Sequence, residues 1–122
     1  MEVIEQLGEQ GIADLAAAFY RRMRTDDLVG AMYPPDDWEG AEERFRDFLI
    51  FRFGGSQKYI EERGHPRLRM RHMPFKVDIA ARDRWLEIMS ASMDEMEVPS
   101  PSRENLEAFF AQIADFMRNT EG

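Results

Sequence analysis

Apolar residues recur at helical spacing in every stretch of this chain that has a pattern, and this more than anything limits what it can fold into. Over residues 11–24, Ile12, Leu15, Ala16, Phe19, Tyr20 and Met23 fall on one face at steps of three and four. Ala41, Phe45, Phe48, Leu49 and Arg52 form a second stripe. Trp85, Ile88, Met89, Ser92, Met93 and Met96 form a third, and Leu106, Phe109, Phe110, Ile113 and Phe116 a fourth. Alternation of period two, the mark of a half-buried strand, occurs nowhere. The expected class is therefore all-α.

Prolines, glycines and capping residues divide the stripes. Thr25-Asp26-Asp27 opens a short turn or helix that ends near Tyr33-Pro34-Pro35, because proline cannot continue a helix. Asp36 or Asp37 is the expected N-cap of the second stripe, and Gly54-Gly55 its stop. Ser56 can cap a short helix over 57–63 that ends at Gly64. Pro66 suits the first turn of another, running to about His72, with Pro74 beyond it. Asp78 is the expected cap of the third stripe. Pro99 and Pro101 separate it from the fourth, with Ser102 as cap.

Composition narrows the function. At 122 residues, residues 1–122 are read as one domain, with 43% apolar and 33% charged residues. No apolar run approaches the ~20 residues of a membrane span, and Met1-Glu-Val-Ile-Glu5 is no signal peptide. Zero cysteines exclude disulfides and thiolate chemistry and fit a cytoplasmic location. A net charge of −8 argues against nucleic-acid partners, which require extended basic surface. The amphipathic stripes are core-facing, so no membrane association is expected.

One segment reverses the sign of the charge. Arg63-Gly-His-Pro-Arg-Leu-Arg-Met-Arg-His-Met-Pro-Phe75 holds both histidines and four arginines, Lys76 follows, and no Asp or Glu occurs from 63 to 77. The arginines can form ion pairs with the acidic surface, or receive carboxylates bidentately. His72, at the end of a short helix, either caps the helix through the macrodipole or ligates a metal as a neutral imidazole. A cofactor that carries both a metal and carboxylates, as haem does, would use both features. His65, between Gly64 and Pro66, reads better as a turn or capping residue. Glu62-x-x-His65 is half of a di-iron motif, but it has no second copy and is interrupted by Gly64.

Tyr20, Tyr33 and Trp85 are polar-tipped aromatics on otherwise apolar surfaces. Each can be a core residue whose O–H or N–H meets a carbonyl, or together they can cage a bound ligand. No phosphate loop, nucleophile elbow or His-x-x-x-His zinc pair occurs.

Taken in order, Phe19-Tyr20, Tyr33-Pro34, Gly40-Ala-Glu-Glu-Arg44, Phe48-Leu49, Phe53-Gly-Gly55, Tyr59, the run from Gly64 to Phe75 and Arg82-Asp-x-Trp-Leu86 resemble the group II truncated haemoglobins, over residues 4–118. The resemblance implies a shortened, two-over-two globin fold around haem b. His72 matches the proximal iron ligand. Tyr20, Tyr33 and Trp85 match the distal positions that hydrogen-bond a ligand. Ala41 and Phe45 match distal-helix positions that face the haem, and Arg44, Tyr59 and Arg71 match positions that touch haem or its propionates. Phe45 stands where leucine or glutamine is common, so a tighter, more apolar pocket is expected. The Gly-Gly usual between the first two helices is spread out as Gly8-Glu-Gln-Gly11, which leaves the N-terminal geometry open.

On that basis the expected ligand is O2, with NO, CO or peroxide on the same iron and slow release. A peroxidase or NO dioxygenase role would need a reductase that the sequence does not identify. A haem-free helical sensor or interaction module is the alternative from another class. Monomer and homodimer both agree with the resemblance.

Overall fold

The first helix, α1, spans Val3–Met23 and so begins eight residues before the stripe over 11–24. In the computed structural model, which describes residues 3–32, 36–54 and 78–117, this helix is two pieces joined at Gly8. Gly8 has φ 72° and ψ 169°, a conformation that glycine adopts without steric cost. With the kink there, Val3, Ile4 and Leu7 pack on the same core as Ile12, Leu15 and Phe19.

After α1 the chain turns on Asp26. Its carboxylate accepts from the amides of Leu28 and Val29, both at 2.9 Å, and from Arg84 Nη1 at 2.7 Å. A 3-10 turn follows at Gly30–Met32. A β-carbon at Gly30 would lie 2.6 Å from the Met23 carbonyl oxygen, so only glycine lets this turn pass the end of α1. The second helix, α2, spans Trp38–Arg52. Asp37 occupies its N-cap position, yet its side chain caps nothing and instead receives Arg44 Nη2 at 2.8 Å. The expected Asp cap is thus an ion pair. Gly54, at φ 95°, ends the helix as expected.

The third helix, α3, spans Ile79–Glu95, and Asp78 caps it by accepting from the Ala81 amide at 2.9 Å. The fourth, α4, spans Ser102–Met117. Ser102 is fully buried and its hydroxyl has no hydrogen-bond partner among the described residues, so it does not cap α4. The Pro99 and Pro101 carbonyls accept from Arg103 and Asn105 instead, and Gln6 accepts from the Ser102 amide at 3.1 Å. The helices expected over 57–63 and 66–72 lie outside the described residues. Among those described no strand occurs, and no helix is long and apolar enough to cross a membrane.

Packing follows from the stripes. α1 lies against α2, α3 and α4, and α3 against α4, which gives two helix pairs around one core. Phe19, Phe110, Ile12, Leu15, Met23, Leu49, Met89 and Leu106 are its largest fully buried members. Each such side chain contributes about 1.5–3 kcal/mol by leaving water. Charged groups tie the pairs at the rim, where Glu95 takes both Arg21 and Arg22 and thereby joins α1 to α3.

The Asp26 junction yields a stability prediction. Burial pushes the Asp26 carboxyl up, but the Val29 and Leu28 amides and the Arg84 guanidinium outweigh it and hold the group below its ordinary value. A depressed carboxyl stabilises the fold above its unfolded value and loses that contribution as pH falls through the folded one. Asp26→Ala is expected to cost about 1–3 kcal/mol at neutral pH, since two amides and a guanidinium lose their acceptor. The difference from the parent should shrink below about pH 4. Denaturant unfolding at pH 7 and at pH 3 checks both statements.

Candidate functional site

Four helices converge on one place, and two of them bring polar-tipped aromatic rings to it. α1 contributes Phe19 and Tyr20, its buried neighbours just before the helix ends. α2 contributes Ala41 and, one turn on, Phe45. α3 contributes Trp85, and α4 closes the cluster with Phe110.

Phe45 sits at the centre, with its ring centroid 5.4 Å from Phe19, 5.8 Å from Tyr20 and 6.3 Å from both Trp85 and Phe110. Trp85 stands edge-on to Phe19 at 5.0 Å and to Phe110 at 5.6 Å. Tyr20 stands edge-on to Phe19 at 5.2 Å. The phenol of Tyr20 and the indole of Trp85, from helices far apart in sequence, therefore pack on the same two rings. Edge-to-face pairs of this kind add about 0.5–1.5 kcal/mol each beyond area burial, so the cluster is stiff.

Ala41, 6% exposed, is the small residue beside these rings. Its spacing from Phe45 puts a methyl and a phenyl on one stripe of α2. Arg44, one position before Phe45, is held by Asp37 at the N-cap position of the same helix. Both side chains are substantially exposed, and such a pair contributes only about 0–1 kcal/mol, so Arg44 is free to take another anion. Of the residues expected at the site, Tyr20, Ala41, Arg44, Phe45 and Trp85 are placed, and Tyr20, Phe45 and Trp85 meet in one cluster. Tyr33, Tyr59, Arg71 and His72 lie outside the described residues, as does His65.

Sequence reasoning gave Trp38 no part, yet it belongs here. Its ring lies 6.3 Å from Tyr20, and the Arg24 guanidinium carbon lies 5.9 Å from the Trp38 ring centroid. The sign was present, since Trp38 precedes Ala41 by three and Phe45 by seven and so continues their stripe. Phe19 and Phe110 were legible as core residues only.

The donor set fits the distal side of a haem. An apolar wall, one small residue and two aromatic donors suit a flat macrocycle carrying a small, partly charged ligand, and Arg44 is available for a propionate.

Comparison with known proteins agrees with this geometry. The chain matches the family described as Bacterial-like globin over residues 2–119, and it belongs to that family. It is 36% identical over 102 residues to Group 2 truncated hemoglobin YjbI of Bacillus subtilis (strain 168), covering 84% of this chain and 76% of that protein. The structure of a thermostable hemoglobin from the actinobacterium Thermobifida fusca superposes with a TM-score of 0.92 at 40% identity, over 98% of each chain. That of a truncated oxygen-avid haemoglobin from Bacillus subtilis superposes with a TM-score of 0.90 at 33% identity, over 98% of this chain and 100% of that one. The four helices are those of the two-over-two truncated globin fold. Membership implies a haem cofactor and the binding of O2 or similar diatomic ligands.

Proposed function

We propose that this protein binds haem b through His72 and holds O2 with a distal cage of Tyr20, Tyr33 and Trp85, releasing it slowly. The observation that carries the proposal is the convergence of Tyr20 and Trp85 on the shared rings Phe19 and Phe45. Two donor-bearing rings thus pack on the same wall. The oxygen-avid relative, with the same fold, supports the direction.

When bound, the haem supplies an iron that takes a diatomic ligand. The rest belongs to the chain. His72 would hold the iron through its imidazole, and Arg71, Tyr59 and Arg44 would take the haem and its propionates. Tyr20 O–H, Tyr33 O–H and Trp85 N–H would donate to negative charge on the bound ligand. Donors held in place by packed rings need no reorganisation to do so. A hydrogen bond to a charged acceptor contributes about 1.5–3 kcal/mol, roughly tenfold or more in dissociation rate. Slow release suits a ligand trap or redox protein better than a rapid carrier.

Phe45 sets access. Its ring touches four others and stands one turn from Ala41, so a ligand that arrives beside Ala41 meets it first. Phe45→Leu is expected to speed CO association several-fold in flash photolysis and to cost about 1–2 kcal/mol of stability through the space it leaves. An association rate unchanged in a folded variant would remove Phe45 from the access route. Oxygen off-rates of Tyr20→Phe, Tyr33→Phe and Trp85→Phe test the cage itself.

A further inference from the structure

We infer that Trp38 and Arg24 form a brace that sets the orientation of the Tyr20 phenol, which makes Trp38 a positioning residue for ligand retention. This rests on the cage proposed for Tyr20.

Tyr20 lies in the last turn of α1, and Trp38 is the first residue of α2. Their rings meet edge-to-face, at 6.3 Å between centroids and 67° between planes. Such contacts are directional, because the positive edge of one ring seeks the negative face of the other. Tyr20 is therefore gripped on three sides, by Phe19 at 5.2 Å, Phe45 at 5.8 Å and Trp38. Phe19 is buried, while Phe45 and Trp38 are both half-buried. A neighbour on its exposed side would steady the Trp38 ring further.

Arg24 does so. Its guanidinium lies within cation–π range of the indole, and Arg24 itself follows Tyr20 by four, its amide donating to the Tyr20 carbonyl at 3.1 Å. Arg24, Trp38 and Tyr20 thus form a closed loop, backbone on one side and stacked side chains on the other. The arginines in the last turn of α1 are committed elsewhere, since Arg21 and Arg22 both pair with Glu95. Trp38 also lies on the α2 stripe that carries Ala41 and Phe45, so α2 presents both Trp38 and Phe45 to the Tyr20 ring. The consequence is that a residue at the protein surface tunes a donor inside it.

The test is a double-mutant cycle. The C–O stretch of the ferrous CO complex and the oxygen off-rate are measured for the parent, Trp38→Leu, Tyr20→Phe and the double variant. Trp38→Leu is expected to shift or broaden the C–O stretch and to raise the off-rate several-fold. In the Tyr20→Phe background it should add little, because coupled residues are non-additive. Arg24→Ala should mimic Trp38→Leu in part, and Arg24→Lys should restore the parent values. Additive effects of Trp38→Leu and Tyr20→Phe would overturn the brace.

A second readout needs no haem. The chain has two tryptophans, so Trp85→Phe leaves Trp38 as the only one. Its emission in the haem-free protein should change on Arg24→Ala and on Tyr20→Phe, and its exposure to iodide should rise in the former. Emission indifferent to both changes would overturn the brace even where Tyr20→Phe alters ligand release. An off-rate indifferent to Tyr20→Phe, with Trp38 emission responding, would instead overturn the distal role of Tyr20 and leave a purely structural contact.

Discussion

Replacing His72 with glycine is expected to abolish tight haem uptake, and millimolar imidazole is expected to restore it. In the proposed site this residue would supply the one bond from protein to iron, and no packing interaction would replace it. Glycine leaves a hole of imidazole size on the same side, so the free base can enter and ligate from there. A loss on the order of a hundredfold or more in affinity corresponds to about 2.7 kcal/mol or more, modest for a coordinate bond. His65→Gly is the matched control. It removes the only other histidine from the same basic segment and should leave uptake intact. Hemin titration followed in the Soret region, with far-ultraviolet circular dichroism to show that the helices persist, reads all three proteins. A normal spectrum for His72→Gly without imidazole would sink the proximal assignment.

Trp85→Phe is expected to raise the oxygen dissociation rate by about ten- to a hundredfold, the effect of losing a hydrogen bond worth about 1.5–3 kcal/mol. Phenylalanine keeps a ring against Phe19 and Phe110, which lie 5.0 and 5.6 Å from the indole. Packing loss therefore stays small while the N–H donor disappears. The association rate should change little, because Phe45 stays in place. Tyr33→Phe should act in the same direction. Stopped-flow displacement of O2 by CO measures the off-rates, and unchanged values in both variants would mean that the cage is wrongly drawn.

Much of the fold was legible because burial imposes a period. The stripes through Phe19, Phe48, Met89 and Leu106 marked four helices, and all four are present. Local chemistry fared less evenly. Asp78 caps α3 as its position implies, its carboxylate accepting from the Ala81 amide. Asp37 stands at the right place but answers to Arg44, one helical turn pair further on, which a local cap rule does not weigh. Ser102 loses its capping role because the chain before it already supplies carbonyls to the first amides of α4. α1 starts earlier than its stripe, across Gly8, whose backbone is not helical.

The site divides in a similar way. Tyr20 and Trp85 stood out as polar-tipped aromatics on apolar faces, and the fold brings both onto Phe19 and Phe45. Nothing in a helical period tells that Phe45 lies among Phe19, Tyr20, Trp85 and Phe110, because all four come from other helices. Trp38 lay on the right stripe, but only the spatial neighbours Arg24 and Tyr20 give it a part.

The most direct test of the central claim, that this globin holds haem on a histidine, is a hemin titration of the purified parent protein, followed by gel filtration, reduction and exposure to CO. The account predicts a one-to-one complex that survives filtration, with an intense Soret band that moves on reduction and CO binding to the form of a histidine-ligated ferrous CO species. A protein that keeps its helices but leaves the column without a Soret band would contradict it.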